Sequence, residues 1–361
     1  MSLMSFADVI TYLHKQKRQV SLLLGNGFSM AYDKEIFSYN ALYTFLAAHE
    51  DNLLNRLLDA VKTRNFEVIM RQLDMTIALL EAFEADADLL EQIKNASNAL
   101  RSGLLEAIQQ LHPEHVYKVP EEKSAACAKF LQAFLDSNGH IFTTNYDLLL
   151  YWVLMSQRVK NPIDGFGREL ENPVEVEMGE EPEWSDLLWG PNKIQQNVHF
   201  VHGALHLFDL GAQVIKEQYD ANGYLLQNIS RRMDEGDYPI FVTAGDGGEK
   251  LEHIRHNRYL SYCYDQLCGI DGSLVTFGFN FGAQDEHIID AINKAAKYKS
   301  KKPPKLWSVY IGAYSEEDVA HIKSIEKNFI RVSESSMQRQ LVYGVEETMT
   351  DRGQHRLIFI K

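Results

Sequence analysis

The sequence is poor in several things that would mark a specialised class of protein. Its 361 residues contain three cysteines, Cys127, Cys263 and Cys268. An odd number at wide spacing argues against a disulfide framework and suits reduced core thiols. No apolar run approaches the roughly 18 residues of a membrane-spanning helix. Positive charge is scarce: 36 Lys and Arg against 50 Asp and Glu give a formal net charge of −14. That balance opposes nucleic-acid binding, whose affinity comes largely from basic residues displacing counterions. The one basic run, 297–305, is short and reads as a solvated loop. The N-terminus shows neither the basic nor the apolar region of a signal peptide, so cytoplasmic residence is the expectation.

What is present is ordinary for a globular protein, 45% hydrophobic and 24% charged residues, in a chain long enough to bury a large core. We read it as a single α/β domain over 1–361. Short apolar runs that suit buried parallel strands occur at Gln19 to Leu24, His140 to Thr143, Asn197 to His202, Tyr238 to Thr243, Leu274 to Gly278 and Trp307 to Ile311. Helical patterns separate them at Phe6 to Lys17, Glu122 to Leu135, Leu148 to Ser156, Arg258 to Cys268, Glu286 to Lys297 and Glu316 to Lys327. This alternation predicts a Rossmann-like, doubly wound parallel sheet. Residues 35–115 interrupt it. They are rich in Leu, Ala, Glu and Gln, and "NLLNRLLDAVKTRNFEVIMRQLDMTIALLEAF" keeps helical apolar spacing over several turns. A helical insertion is predicted there, serving as packing, as a cover over a cleft or as a homo-oligomer contact. Asn161 to Gln196, with four prolines and an acidic run, reads as a long irregular loop.

Four segments fall where strands end, which is where open α/β sheets bind ligands. The first is Gly25-Asn26-Gly27-Phe28-Ser29 after "SLLL". Its glycines permit tight turning and close approach to the main chain, but Met30 stands where a dinucleotide fingerprint has its third glycine, and the lysine of an ATPase phosphate loop is lacking. The second is Thr143-Thr144-Asn145-Tyr146-Asp147, in which Asn145 or Asp147 serves as a helix cap or faces the crevice. The third is His202-Gly203, a histidine placed for acid or base work. The fourth is Gly278-Phe279-Asn280 in "FGFNFGAQDEHIIDAI", where Asn280 is a candidate nucleotide contact and Asp285 reads as the cap of the next helix.

In this order the four segments resemble the sirtuin-like superfamily of NAD-consuming enzymes, which carry G-A-G-x-S, T-x-N-x-D, H-G and G-[TY]-S in the same succession. Asn26 and Asn280 depart from that pattern. The paired C-x-x-C zinc ligands of protein-deacylating members are missing, so the chain is most similar to the zinc-less bacterial branch that includes antiphage-defence proteins. That resemblance implies hydrolysis of NAD, as substrate and without a metal, to release nicotinamide. It implies catalytic roles for Asn145 (holding water or a ribose hydroxyl), His202 (general base) and Asp147 (orienting the carboxamide or favouring positive charge). It implies nucleotide contacts at Gly25, Asn26, Gly27, Phe28, Ser29, Thr144, Gly278 and Asn280. The rival readings are a non-catalytic sensor of NAD or ADP-ribose, and an NAD-dependent deacylase or ADP-ribosyltransferase. A metal site of His199, His202 and His206 is disfavoured, because strand alternation points His199 away from His202. Beyond Gly203 the orientation of His206 is open; the resemblance implies that His199 packs in the sheet and that His206 supports the neighbouring turn.

Overall fold

The computed structural model describes residues 6–32, 60, 66–111, 120–156, 158–219, 224–242, 246–296, 306–329, 343–346 and 355–360. The chain begins with α1 (Phe6–Lys15), β1 (Val20–Leu24) and α2 (Asn26–Tyr32), followed by α3 (Phe66–Ala82), α4 (Ala87–Leu111) and α5 (Glu121–Leu135). Next come β2 (Ile141–Thr143), α6 (Leu149–Met155), β3 (Phe166–Gly167), α7 (Pro173–Glu177), β4 (Leu187–Trp189), β5 (Val198–Phe200), β6 (Gly203–Asp209) and β7 (Val214–Lys216). The remainder holds α8 (Leu225–Asp234), β8 (Pro239–Phe241), α9 (Gly247–His256), α10 (Arg258–Cys268), β9 (Gly272–Phe277), α11 (Glu286–Ala296), β10 (Leu306–Ala313), α12 (Glu316–Ile325), β11 (Tyr343–Glu346) and β12 (His355–Ile360).

β1 reads VSLLL and is buried at all five positions. A strand covered on both faces has no solvent side, so its sequence is a continuous apolar run and not an alternation. It pairs in parallel with β2 on one flank and β9 on the other. The sheet runs β11-β12-β10-β9-β1-β2-β5. From β1 the chain steps outward to β2 and β5, then returns to the other side of β1 with β9 and β10. This is a mixed α/β fold with a parallel five-stranded sheet flanked by helices, and its strand order is compatible with a Rossmann-like fold, with the reversal between β1 and β9. The sheet is not wholly parallel, because β12 pairs antiparallel with β10, and β11 with β12.

A second sheet, β3-β4-β7-β6-β8, is antiparallel throughout, and it corrects two expectations. The Tyr238 to Thr243 run reads as a parallel strand, yet its strand, Pro239–Phe241, pairs antiparallel with β6; Thr243 lies outside the described residues. Three buried apolar residues carry no signal of strand direction, so only the partner decides. Asn161 to Gln196, read as an irregular loop, supplies β3, α7 and β4. Strands of two or three residues are too short to show a period. The chain passes between the sheets at Val201 and His202. There Gly203 has φ +75°, and a Cβ on it would lie 2.0 Å from the Ile240 carbonyl oxygen.

Within 35–115 the described segments α3 and α4 are helices packed on one another. Asp74 on α3 accepts from Tyr238 Oη at 3.0 Å and from Ser97 Oγ at 3.4 Å, tying α3 to α4 and to the start of β8. Residues 35–59, 61–65 and 112–115 lie outside the described residues, as does the basic run 297–305. Helix starts carry local signals: Asp246 accepts from the backbone N–H of Gly248 and Glu249, Asn257 from Tyr259 and Leu260, and Ser315 from Asp318. Among the described residues no helix is long and apolar enough to cross a membrane.

Candidate functional site

The turns after β1 and β9 meet backbone to backbone. Gly25 N–H donates to the Phe277 carbonyl at 3.0 Å and Gly27 N–H to the Gly278 carbonyl at 2.9 Å. A Cβ on Gly27 would stand 2.5 Å from Gly278 Cα, and one on Gly278, whose φ is +65°, would stand 2.5 Å from Gly27. The glycines therefore let two loops close on each other at the sheet's reversal. The Gly27 N–H is committed to protein. Phe28 turns inward, its ring 6.5 Å from Phe130 and 6.3 Å from Phe277. Asn26 and Gly27 are half-buried and Asn280 is exposed.

The turn after β2 joins this one through side chains. Asn145 Nδ2 donates to the Gly25 carbonyl at 3.1 Å and to Ser29 Oγ at 2.9 Å. A carbonyl can only accept, so the amide orientation is determined: both N–H protons are used, and Oδ1 takes no hydrogen bond among the described residues. Ser29, wholly buried, passes its own proton to Asp147 Oδ2 at 2.6 Å. Asp147 Oδ1 accepts from the Leu149 N–H at 3.0 Å, at the start of α6. Asp147 thus holds the first N–H of α6 from outside the helix, whose N-cap position is Leu148, and Asn145 does not bond the helix start. Burial raises the Asp147 carboxyl to about 6, against the lowering pull of its bonds from Ser29 and Leu149. Thr144 is turned away, its N–H and Oγ1 both on the Leu24 carbonyl at 3.1 and 3.3 Å.

His202 is buried between the two sheets. Its Nε2 lies 2.8 Å from Nε2 of His287 on α11, with the rings stacked at 5.0 Å. It also hydrogen-bonds the Thr144 backbone. Burial, then the charges of His287, Lys250 and His253, hold its pKa well below the usual histidine range. His287 is pushed down to about 3 by burial and by Lys250. Lys250 itself is buried on α9 and pairs with Asp285 at 2.9 Å. That pairing corrects the cap reading of Asp285, whose carboxylate serves a lysine and not the start of α11.

His199, His202 and His206 have different surroundings. His199 pairs with His140 at 2.9 Å and stacks on Phe142. His206 lies inside β6 between Tyr151 and Phe200, and neither of its ring nitrogens has a partner. It is a core side chain and supports no turn. Among the described residues no group of three or more His, Cys, Asp or Glu has metal-holding geometry. Burial pushes the free thiols up, to about 11 for Cys127 and Cys268 and about 12 for Cys263, so none is a thiolate nucleophile near pH 7. The sequence reading missed His287 and Lys250. "DEHII" shows a histidine entering an apolar helix face, but nothing local ties it to a residue 85 positions earlier.

No curated protein matches the chain. A family model described as a domain of unknown function (DUF4917) matches residues 22–330, a span that holds both sites of side-chain clustering and the parallel core of the sheet apart from the first two residues of β1. The chain belongs to the DUF4917 family.

Proposed function

We propose that the protein cleaves NAD at the bond between ribose and nicotinamide, as a metal-independent NAD glycohydrolase. The observation that carries this reading is Asn145. Its amide is locked by Gly25 and Ser29 at the carboxyl ends of β1 and β2, with Oδ1 left as an open acceptor beside the sheet's reversal. The resemblance of the four turn segments to sirtuin-like enzymes supports it. In this reaction the pyridinium leaves as neutral nicotinamide, so no acid is needed. The site must instead favour an oxocarbenium-like ribose and position water. Asn145 Oδ1 accepts from a ribose hydroxyl or that water. Asp147, with a pKa of about 6, is mostly ionised at pH 7 and offers negative charge to the developing cation. The His202–His287 pair takes up the proton as one unit. The pyrophosphate lies against the Gly25–Ser29 turn, where Asn26 is half-buried. The helical insertion covers the cleft or joins two copies, and the protein acts in the cytoplasm, in a role akin to antiphage defence.

A second reading, a sensor that binds NAD or ADP-ribose without turnover, is favoured by one observation: both ring nitrogens of His202 are already engaged. Incubating the pure protein with NAD and separating the products by chromatography decides between them. Release of nicotinamide that falls about 100-fold or more in a folded Asn145→Ala variant supports catalysis. Saturable NAD binding without product supports the sensor. Undiminished turnover in Asn145→Ala overturns the site.

A further inference from the structure

Four ring nitrogens belong to the His202–His287 pair, and the surrounding groups determine the state of each. The Thr144 N–H is spent on the Leu24 carbonyl, so the Thr144 group that bonds His202 is its carbonyl, which can only accept. His202 Nδ1 therefore carries a proton. Burial and the nearby charge of Lys250 keep the ring neutral, which leaves its Nε2 bare. The 2.8 Å contact then requires a proton on His287 Nε2. His287, neutral for the same reasons, is left with a bare Nδ1. That atom is buried and has no hydrogen-bond partner.

We propose that His202 and His287 act together, the two imidazoles forming one proton-accepting unit whose single nitrogen without a partner is His287 Nδ1. The unit takes one proton and no more. A proton released from a hydroxyl breaks its O–H bond and adds at Nδ1 of His287, leaving an alkoxide or hydroxide. The proton between the two Nε2 atoms is then shared, and the positive charge spreads over both rings. Lys250, held by Asp285, acts on both rings and His253 on His202, so the unit titrates under its neighbours' influence and as a pair, not as two independent groups. Tyr264 holds the ring's backbone, donating from Oη to the His287 carbonyl at 2.8 Å.

As a base for NAD cleavage, the unit rests on the function proposed above; as a proton-sharing pair, it does not. Nitrogen NMR of the histidine-labelled full-length protein is expected to show His202 protonated on Nδ1, His287 protonated on Nε2, and a coupled titration that takes up one proton. Independent titration of the two rings, or a proton on His202 Nε2 near pH 7, overturns the pair. Variants then test its use. His287→Gln keeps an N–H donor for His202 but has no basic nitrogen, and is expected to preserve the His202 tautomer while lowering nicotinamide release about 100-fold and flattening its pH profile. His287→Phe is expected to lose both tautomer and activity. Wild-type turnover and pH profile in His287→Gln overturn the catalytic use of the pair. If the wild-type protein releases no nicotinamide, the NAD reading fails, and the spectra alone still decide the pair.

Discussion

Ser29 Oγ donates to Asp147 Oδ2 at 2.6 Å, joining the turn after β1 to the turn after β2 across 118 positions of sequence. Ser29 is wholly buried, so its hydroxyl has no water to fall back on. Ser29→Ala is expected to cost about 1–3 kcal/mol of stability. It also removes a bond that holds the Asp147 pKa down. The folded value of about 6 already exceeds the ordinary carboxyl value of 3.8, so the folded chain binds this proton more tightly than the unfolded one. The associated stability is present at acid pH and is lost as pH rises through 6. Without Ser29 the folded value climbs further. The variant's cost should therefore be larger at pH 8 than at pH 5, read from urea unfolding of both proteins at both values. An equal cost at the two pH values refutes the coupling.

Gly278 closes the contact between the β1 and β9 turns. Gly278→Ala combines a φ of +65° with a Cβ 2.5 Å from Gly27 backbone atoms. Gly211 offers the comparison, with φ +81° and nothing within 4 Å of its virtual Cβ. Gly211→Ala should lose only the roughly 1–2 kcal/mol of left-handed backbone strain. Gly278→Ala should lose at least about 2 kcal/mol more, since backbone on both sides must move. Thermal unfolding of the two variants isolates the loop contact, and similar losses would show that it adds nothing.

His206 tests how buried histidines respond to acid. Burial first, then the charge of Lys216, holds its pKa well below 6.5. Its folded pKa is thus depressed, so its contribution is complete above 6.5 and is lost as pH falls, when only the unfolded chain takes the proton. The slope is about 1.4 kcal/mol per pH unit for each such group. His140, His199, His202 and His287 are shifted the same way, so the wild type should weaken steeply below pH 6.5. His206→Leu removes one of these groups and two unpartnered nitrogens. Between pH 7.5 and 5.5 the variant should lose about 1 kcal/mol less than the wild type in urea titrations. Identical losses would mean that His206 accepts its proton in place.

The strand ends were legible in the sequence because a buried parallel strand must be continuously apolar and then turn. "SLLLGNG" and "IFTTNYD" therefore mark where β1 and β2 stop, and with them Gly25, Asn145 and Asp147. The helices starting at Arg258 and Glu316 were legible from their apolar period, and the structure places Asn257 and Ser315 as their caps. "VHFVHG" looked like one strand ending in a histidine, but the chain leaves the first sheet at Phe200 and enters the second at Gly203. No run of three residues states which sheet it will join.

By itself, then, the sequence determined the apolar core strands, the amphipathic helices and the polar residues carried at the turns, since each follows from periodicity and side-chain chemistry within a few residues. Tertiary structure alone decided which turns meet. It set Gly27 against Gly278, spent both protons of the Asn145 amide, placed His206 in the core and brought His287 to His202. These are contacts between positions tens to hundreds of residues apart. Their geometry depends on strand order and loop closure, which local sequence does not encode.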